Sequence, residues 1–293
     1  MAPMIGCVRP ARCLLALAAA LVAVPAGAQD YVLSLEYETK TEGLGEYASR
    51  SSSGGRQALA ERVIAETPTG SEIEYAIPGP RDDIRGTAEW MFPVRILVAP
   101  DGTKTVLDEG ELSTRLDAWL GEAGWSRDVC SRWLFTWTAI QVQCDPQAAI
   151  ESVEAYGMRP GRVAEGEEIA LVGVAEPVVL TGAGTRDGHH LLVASGPVDP
   201  HFVREQEVQT ALIVAEISGE NLSPEAADAQ AAGIDATGTV TVEFAIDDTG
   251  LVWRRTETSD MVVTGREQCD ETRWSVQTVT RTLKSDWIEQ QGL

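Results

Sequence analysis

Histidine, cysteine and positive charge are what this chain has least of. Across 293 residues there are three histidines and five cysteines, and 23 lysines and arginines stand against 45 aspartates and glutamates, for a net charge of −22. So acidic a chain repels nucleic acid and anionic membrane surfaces, which excludes both as partners and leaves cationic ligands or basic partners open. A high negative charge also serves simply to keep an exported protein dissolved.

The histidines are His189, His190 and His201. Adjacent side chains on a strand point to opposite faces, and no cysteine or carboxylate near them falls at a recognised ligand spacing. No metal site and no cofactor is therefore expected. A Gly-x-Ser-x-Gly nucleophile elbow is missing, and Ser51 to Ser53 read as loop. Gly182-Ala-Gly184-Thr-Arg-Asp-Gly188 has the wrong spacing for a dinucleotide-binding turn and leads into a strand-like run, so it reads as a hairpin loop. Asp82-Asp83 and Asp247-Asp248 read as turn formers. With no set of nucleophile, base and orienting group, an enzyme is the least supported class, and no catalytic residue is assigned.

Long apolar runs are missing too. The longest, Cys13 to Val24, has twelve residues and is too short to span a bilayer. Arg9 and Arg12 precede it and Ala26-Gly27-Ala28 follows it, the pattern of a secretory signal cleaved after Ala28. Its removal takes away two positive charges and places the mature chain in the periplasm or outside the cell. Cys130, Cys144 and Cys269 then remain, an odd number that rules out a full disulfide framework.

What is present is β patterning. Tyr31, Leu33, Leu35 and Tyr37 alternate with polar residues as in a half-buried strand. Arg50 to Arg56, with no apolar side chain, reads as a flexible loop. Leu59 to Thr67 and Ser71 to Ile77 read as strands joined by Pro68-Thr-Gly70, and Val94 to Val98 with Thr103 to Leu107 as a hairpin about Pro100-Asp-Gly102. Beyond Gly161 come short strands over 169–174, 178–180 and 190–194. Asp199-Pro200 and Ser223-Pro224 open helices. Val240, Val242, Phe244 and Ile246 alternate before Asp247-Asp-Thr-Gly250 turns the chain into 251–258, and 274–283 supplies a last strand.

Between these β regions the periodicity changes. Leu112, Leu116, Trp119 and Leu120 share one helical face, with Gly121 and Gly124 ending the helix. Ser126 caps a second helix through about Thr138, although the β-branched Thr136, Thr138, Ile140 and Val142 also fit a strand. Asp145-Pro146 opens a third, with Ala149, Ile150, Val153 and Tyr156 inward. Trp119, Trp133, Phe135 and Trp137 either line an apolar ligand pocket or fill the core. Cys130 and Cys144 would stand roughly 21 Å apart along unbroken helix, whereas a disulfide needs Cα atoms within about 7 Å. Either the chain reverses between them or they do not pair.

The run from Thr237-Gly-Thr-Val-Thr-Val-Glu-Phe through Asp248-Thr-Gly-Leu251, together with Trp133-Leu-Phe-Thr-Trp137 and Cys144-Asp-Pro146, resembles uncharacterised signal-peptide-bearing bacterial periplasmic proteins of about this length. That resemblance implies no chemistry and no site residues.

The expected architecture is α+β: antiparallel halves over 29–110 and 159–293, with a central helical segment over 111–158 packed between or against them, after a signal over 1–28. The expected function is non-enzymatic binding of an apolar small molecule or an envelope protein. The alternative is a structural or interaction module of the envelope without a small ligand.

Overall fold

The computed structural model describes residues 30–44, 49–78, 89–135, 139–158, 162–266 and 270–291. The expected signal, Trp137 and Cys269 lie outside them. Fourteen strands run in chain order: β1 (Asp30–Gly43), β2 (Arg50–Thr67), β3 (Gly70–Ala76), β4 (Val94–Val98), β5 (Lys104–Val106), β6 (Trp133–Phe135), β7 (Ala139–Gln141), β8 (Glu168–Ile169), β9 (Val178–Val179), β10 (Thr181–Arg186), β11 (His189–Pro197), β12 (Asp235–Ile246), β13 (Val252–Thr264) and β14 (Glu271–Leu283). The helices are α1 (Glu109–Glu122), α2 (Ala148–Glu154), α3 (Pro200–Ser218), α4 (Pro224–Ala231) and α5 (Lys284–Gln291).

Ten strands form one antiparallel sheet in the order β10-β11-β12-β13-β14-β1-β2-β3-β4-β5. Strand makes up 46% of the described residues against 26% helix, which corrects the α+β expectation of two sheet halves around a helical middle. Among the described residues the middle segment contributes α1, the seven-residue α2, a 3-10 turn and the short β6–β7 hairpin.

Cross-strand register places Leu33, Leu59, Ile73, Ile96 and Val279 on the same face as Phe244, Val242 and Leu192. That face carries two apolar clusters. Leu112, Leu116 and Leu120 of α1 and Ala149 and Val153 of α2 close the first, while Val203 of α3 and Ala231 of α4 close the second. Met158 packs against both. Between the clusters the chain after α2 lies on the sheet: the Gln277 side chain donates to the Ala155 carbonyl at 2.8 Å, and a Cβ on Gly157 would meet the Arg255 guanidinium at 2.8 Å. Here glycine permits both that contact and a φ of 58°.

Two local expectations fail for identifiable reasons. The helix expected from Ser126 to Thr138 is a 3-10 turn at Arg127–Val129 followed by β6 and β7, which pair Trp133 with Gln141 and Phe135 with Ala139. Cys130 and Cys144 are disulfide-bonded with Cα atoms 5.5 Å apart, a distance that requires chain reversal and so excludes the helix. The β-branched run therefore decides the segment. The loop expected over 50–56 is the start of β2, paired residue by residue with β1. Apolar side chains are not needed to hold it. Tyr37 lies against Gly55, where a Cβ would stand 2.7 Å from its hydroxyl, and Arg56–Glu36 and Arg50–Glu42 pair across the strands at 3.0 and 2.6 Å.

One ion pair is buried within the core face. Arg281 on β14 and Glu61 on β2 are 3% and 5% exposed, with Nη2 3.2 Å from a Glu61 oxygen. Arg281 Nη1 also donates to the Val252 carbonyl at 2.7 Å, and the Tyr75 hydroxyl lies 3.5 Å from the Glu61 carboxylate. Burial pushes the Glu61 carboxyl above its ordinary pKa, and Arg281 opposes that shift.

Replacing Arg281 by Met strands Glu61 in the core and should cost about 3–5 kcal/mol; Glu61→Leu, which strands the cation, should cost as much. The double variant should lose less than either, and urea denaturation of the four proteins checks it. Losing the Cys130–Cys144 bond, whose cysteines are 14 residues apart, should lower stability by about 3 kcal/mol, read from the urea midpoint with and without reductant.

Candidate functional site: the open sheet face

The sheet's second face carries none of α1 to α4, because their apolar sides are spent on the two clusters. Alternation puts the even-numbered residues of β1, β13 and β14 there. One cross-strand row runs Val193, Glu243, Thr256, Thr278, Glu36, Arg56, and the next runs Ser195, Thr241, Thr258, Val276, Glu38. Their central members, Thr256, Thr258, Val276 and Thr278, are half-buried. Toward one end Leu191, Ala245 and Val32 are buried.

Two shallow clefts meet on this face at Thr278. One, of about 440 Å³, is lined by Arg186, Thr241, Glu243, Arg254, Thr256 and Thr258 besides Thr278. The other, of about 410 Å³, includes Glu36, Glu38, Arg56 and Val276. Both volumes fall in the range of small-molecule sites. Together they make a trough across the strands from β12 to β2, on the order of 19 Å at the usual inter-strand spacing.

Most polar groups along the trough are satisfied. The Thr256 and Thr278 hydroxyls face each other at 3.4 Å, and the Thr241 hydroxyl meets Ser195 at 2.9 Å. A threonine with its hydroxyl engaged offers its methyl to a ligand, so this floor is less polar than its composition. Glu36 is held by Arg56 at 3.0 Å and Glu38 by Lys40 at 2.8 Å. Glu243 receives Arg186 through both nitrogens, at 2.9 and 3.3 Å.

Trp119 and Trp133, two of the aromatic residues expected as a pocket, line neither cleft. Trp119 on α1 is partly buried against the first cluster and meets Trp125 edge-on, with centroids 5.6 Å apart. Trp133 is half-buried on β6, where its backbone N–H donates to Glu216 of α3 at 3.1 Å. Phe135 belongs to β6, and Trp137 is outside the described residues. The trough is built from other residues. Its signal in the sequence was the polar phase of the alternating strands, Thr239, Thr241 and Glu243 opposite Val240, Val242 and Phe244, which reads as ordinary solvated surface.

The histidines are separated. His190 Nε2 lies 3.2 Å from Asp248, and His201 Nδ1 lies 3.4 Å from Glu205 at the start of α3. Among the described residues no three histidine, cysteine, aspartate or glutamate side chains gather as a metal site. No helix among them is long and apolar enough to cross a membrane.

Asp247 belongs to the hairpin between β12 and β13. Although burial pushes its pKa up, the Thr249 side chain, the Trp253 indole and the Thr249 and Leu251 backbone amides hold it at about 2.

No protein-family model matches the chain, and no curated protein matches it. Among solved structures, one of lipid–protein interactions in lipovitellin aligns over 87% of this chain at 10% identity with a TM-score of 0.38, the chain spanning 25% of that protein's length. A DUF1329 family protein from Desulfovibrio piger aligns over 88% of this chain and 85% of its own at 8% identity and a TM-score of 0.16. Neither likeness is close enough to carry an argument about this chain.

Since the folded-state pKa of Asp247 is depressed, its contribution to stability is complete above the ordinary value of 3.8 and is lost as pH falls through about 2. Asp247→Asn should remove that acid-side dependence, and thermal scans from pH 5 to pH 2 on both proteins should show their melting temperatures converging.

Proposed function

We propose that this chain is an exported, non-enzymatic binding protein that holds an apolar ligand across the open face of its sheet. The observation that carries the reading is the trough itself: two clefts joined at Thr278 on a face without α1 to α4, floored by β-branched side chains among which the hydroxyls of Thr241, Thr256 and Thr278 are already engaged. Ligand contact there covers methyl groups without stranding hydrogen-bond donors, so binding gains the hydrophobic contribution and avoids the penalty for unmade hydrogen bonds. The Cys130–Cys144 disulfide supports an oxidising compartment and hence export to the periplasm or beyond. A binding role also suits the chemistry of the trough, where the Thr256 and Thr278 hydroxyls bond to each other and that of Thr241 to Ser195.

The test uses a neutral apolar dye, Nile red. Its fluorescence should rise on addition of the protein and should fall to background with Thr278→Arg, which fills the junction of the two clefts. Glu225→Gln on α4, on the opposite face, should bind as the parent does. Absence of dye binding by the parent, or equal binding by Thr278→Arg with an unchanged melting temperature, would overturn the reading.

A further inference from the structure

We propose that Arg254 is a headgroup anchor on this face and that the ligand is a monoanionic amphiphile, a carboxylate bearing an apolar tail. This rests on the open-face reading above and adds to it the chemistry of the ligand's polar end.

Arg186 and Arg254 flank a single carboxylate, Glu243, so the cleft carries one net positive charge in a chain at −22. The two arginines are not equivalent. Arg186 occupies Glu243 fork to fork, and its own side chain is 55% exposed. Arg254 Nη2 stands 3.6 Å from the nearest Glu243 oxygen, beyond hydrogen-bonding distance, and its guanidinium has no hydrogen-bond acceptor among the described residues. It is also the less exposed of the two, at 32%. A planar guanidinium whose donors are free and only partly hydrated is matched by a carboxylate, which accepts two parallel hydrogen bonds.

The surroundings give the ligand a direction. From Arg254 the trough continues over Thr256 and Thr278, whose hydroxyls engage each other, to Val276. At the far end Arg56 is already paired with Glu36, and Glu38 stands beside them, so an anion finds no second anchor there. Head at β13 and tail toward β1 is the arrangement the charges favour. The overall charge also selects for valence: a dianionic phosphate monoester meets about twice the long-range repulsion of a carboxylate from the same acidic body.

Calorimetric titrations with dodecanoate, dodecanol and acetate, all below micellar concentration, separate head from tail. Dodecanoate should bind at least tenfold more tightly than dodecanol, and acetate should give no measurable heat. Arg254→Gln should reduce dodecanoate to the level of dodecanol while leaving dodecanol unchanged, and Arg254→Lys should restore part of the difference. Equal affinity of the parent for dodecanoate and dodecanol overturns the headgroup inference and leaves the open-face reading intact. A preference that survives in Arg254→Gln overturns it as well, and acetate binding as tightly as dodecanoate would make this a free-anion site. Failure of dodecanoate, dodecanol and Nile red alike would remove the open-face reading itself. Melting temperatures of the Arg254 variants establish that the sheet is intact, and the lysine variant carries the comparison if the glutamine one does not fold.

Discussion

The pairing of β1 with β14 holds this molecule together. It joins the first and last of the described strands, from Tyr31 opposite Leu283 to Gly43 opposite Glu271. β1 also pairs with β2, and β14 with β13, so each seam strand is bonded on both edges and the ten-stranded sheet is continuous only through it. The buried ion pair straddles the same place: Arg281 stands on β14, Glu61 on β2, and β1 runs between them. Farther along β14, Arg273 reaches both Glu207 of α3 and Glu271, and Arg266 bonds the same two carboxylates, closing a ring of four charges that ties the helix layer to the seam. Contacts so distant in sequence cost loop-closure entropy before they return any stabilisation. Neither end of the chain completes its sheet without the other.

Where a strand carried a strict apolar–polar alternation, the sequence was readable. β1, β3, β4 and β12 lie where their Leu, Ile, Val and Phe spacing puts them, and α1 buries the Leu112, Leu116 and Leu120 stripe expected of it. The beginning of β2 was unreadable because Ser51 to Gly55 have no apolar phase; what holds them in the sheet is backbone pairing to β1 and the ring of Tyr37, neither of which shows in the local sequence. After Ser126 the cap and the β-branched run point to different elements, and the covalent link that settles the matter joins residues 14 apart. The seam could not have been found from one sequence, since nothing in Tyr31–Tyr37 names β14 as its neighbour.

The trough was hidden for another reason. Threonine on a strand satisfies the expectation for solvated surface as well as the expectation for a binding floor, and only register distinguishes them. Side by side across β13 and β14, Thr256 and Thr278 bond to each other instead of to water, a relation that no reading of either strand alone contains. Trp119, one of the aromatics expected as a pocket, stands on the helix side of the sheet. There Trp119 and Trp125 pack edge to face against the first core cluster.

Scarcity of cations gives the final step. A chain with 23 basic residues against 45 acidic ones has ample carboxylate for every guanidinium, and on the open face nearly all are taken. Arg50 is held by Glu42, Arg56 by Glu36, Arg62 by Glu74, Arg95 by Glu72 and Asp108, and Arg186 by Glu243, each within hydrogen-bonding distance. Such exposed pairs add little stability individually, but they cancel charge locally, so the face is far closer to neutral than the molecule as a whole. Against that pattern Arg254 differs: it sits mid-sheet between Ala245 and Thr280, beside a carboxylate already occupied, with no acceptor of its own among the described residues. On a face where the other guanidinium groups are paired, one without a carboxylate at hydrogen-bonding distance is the exception, and a carboxylate supplied from outside accounts for it.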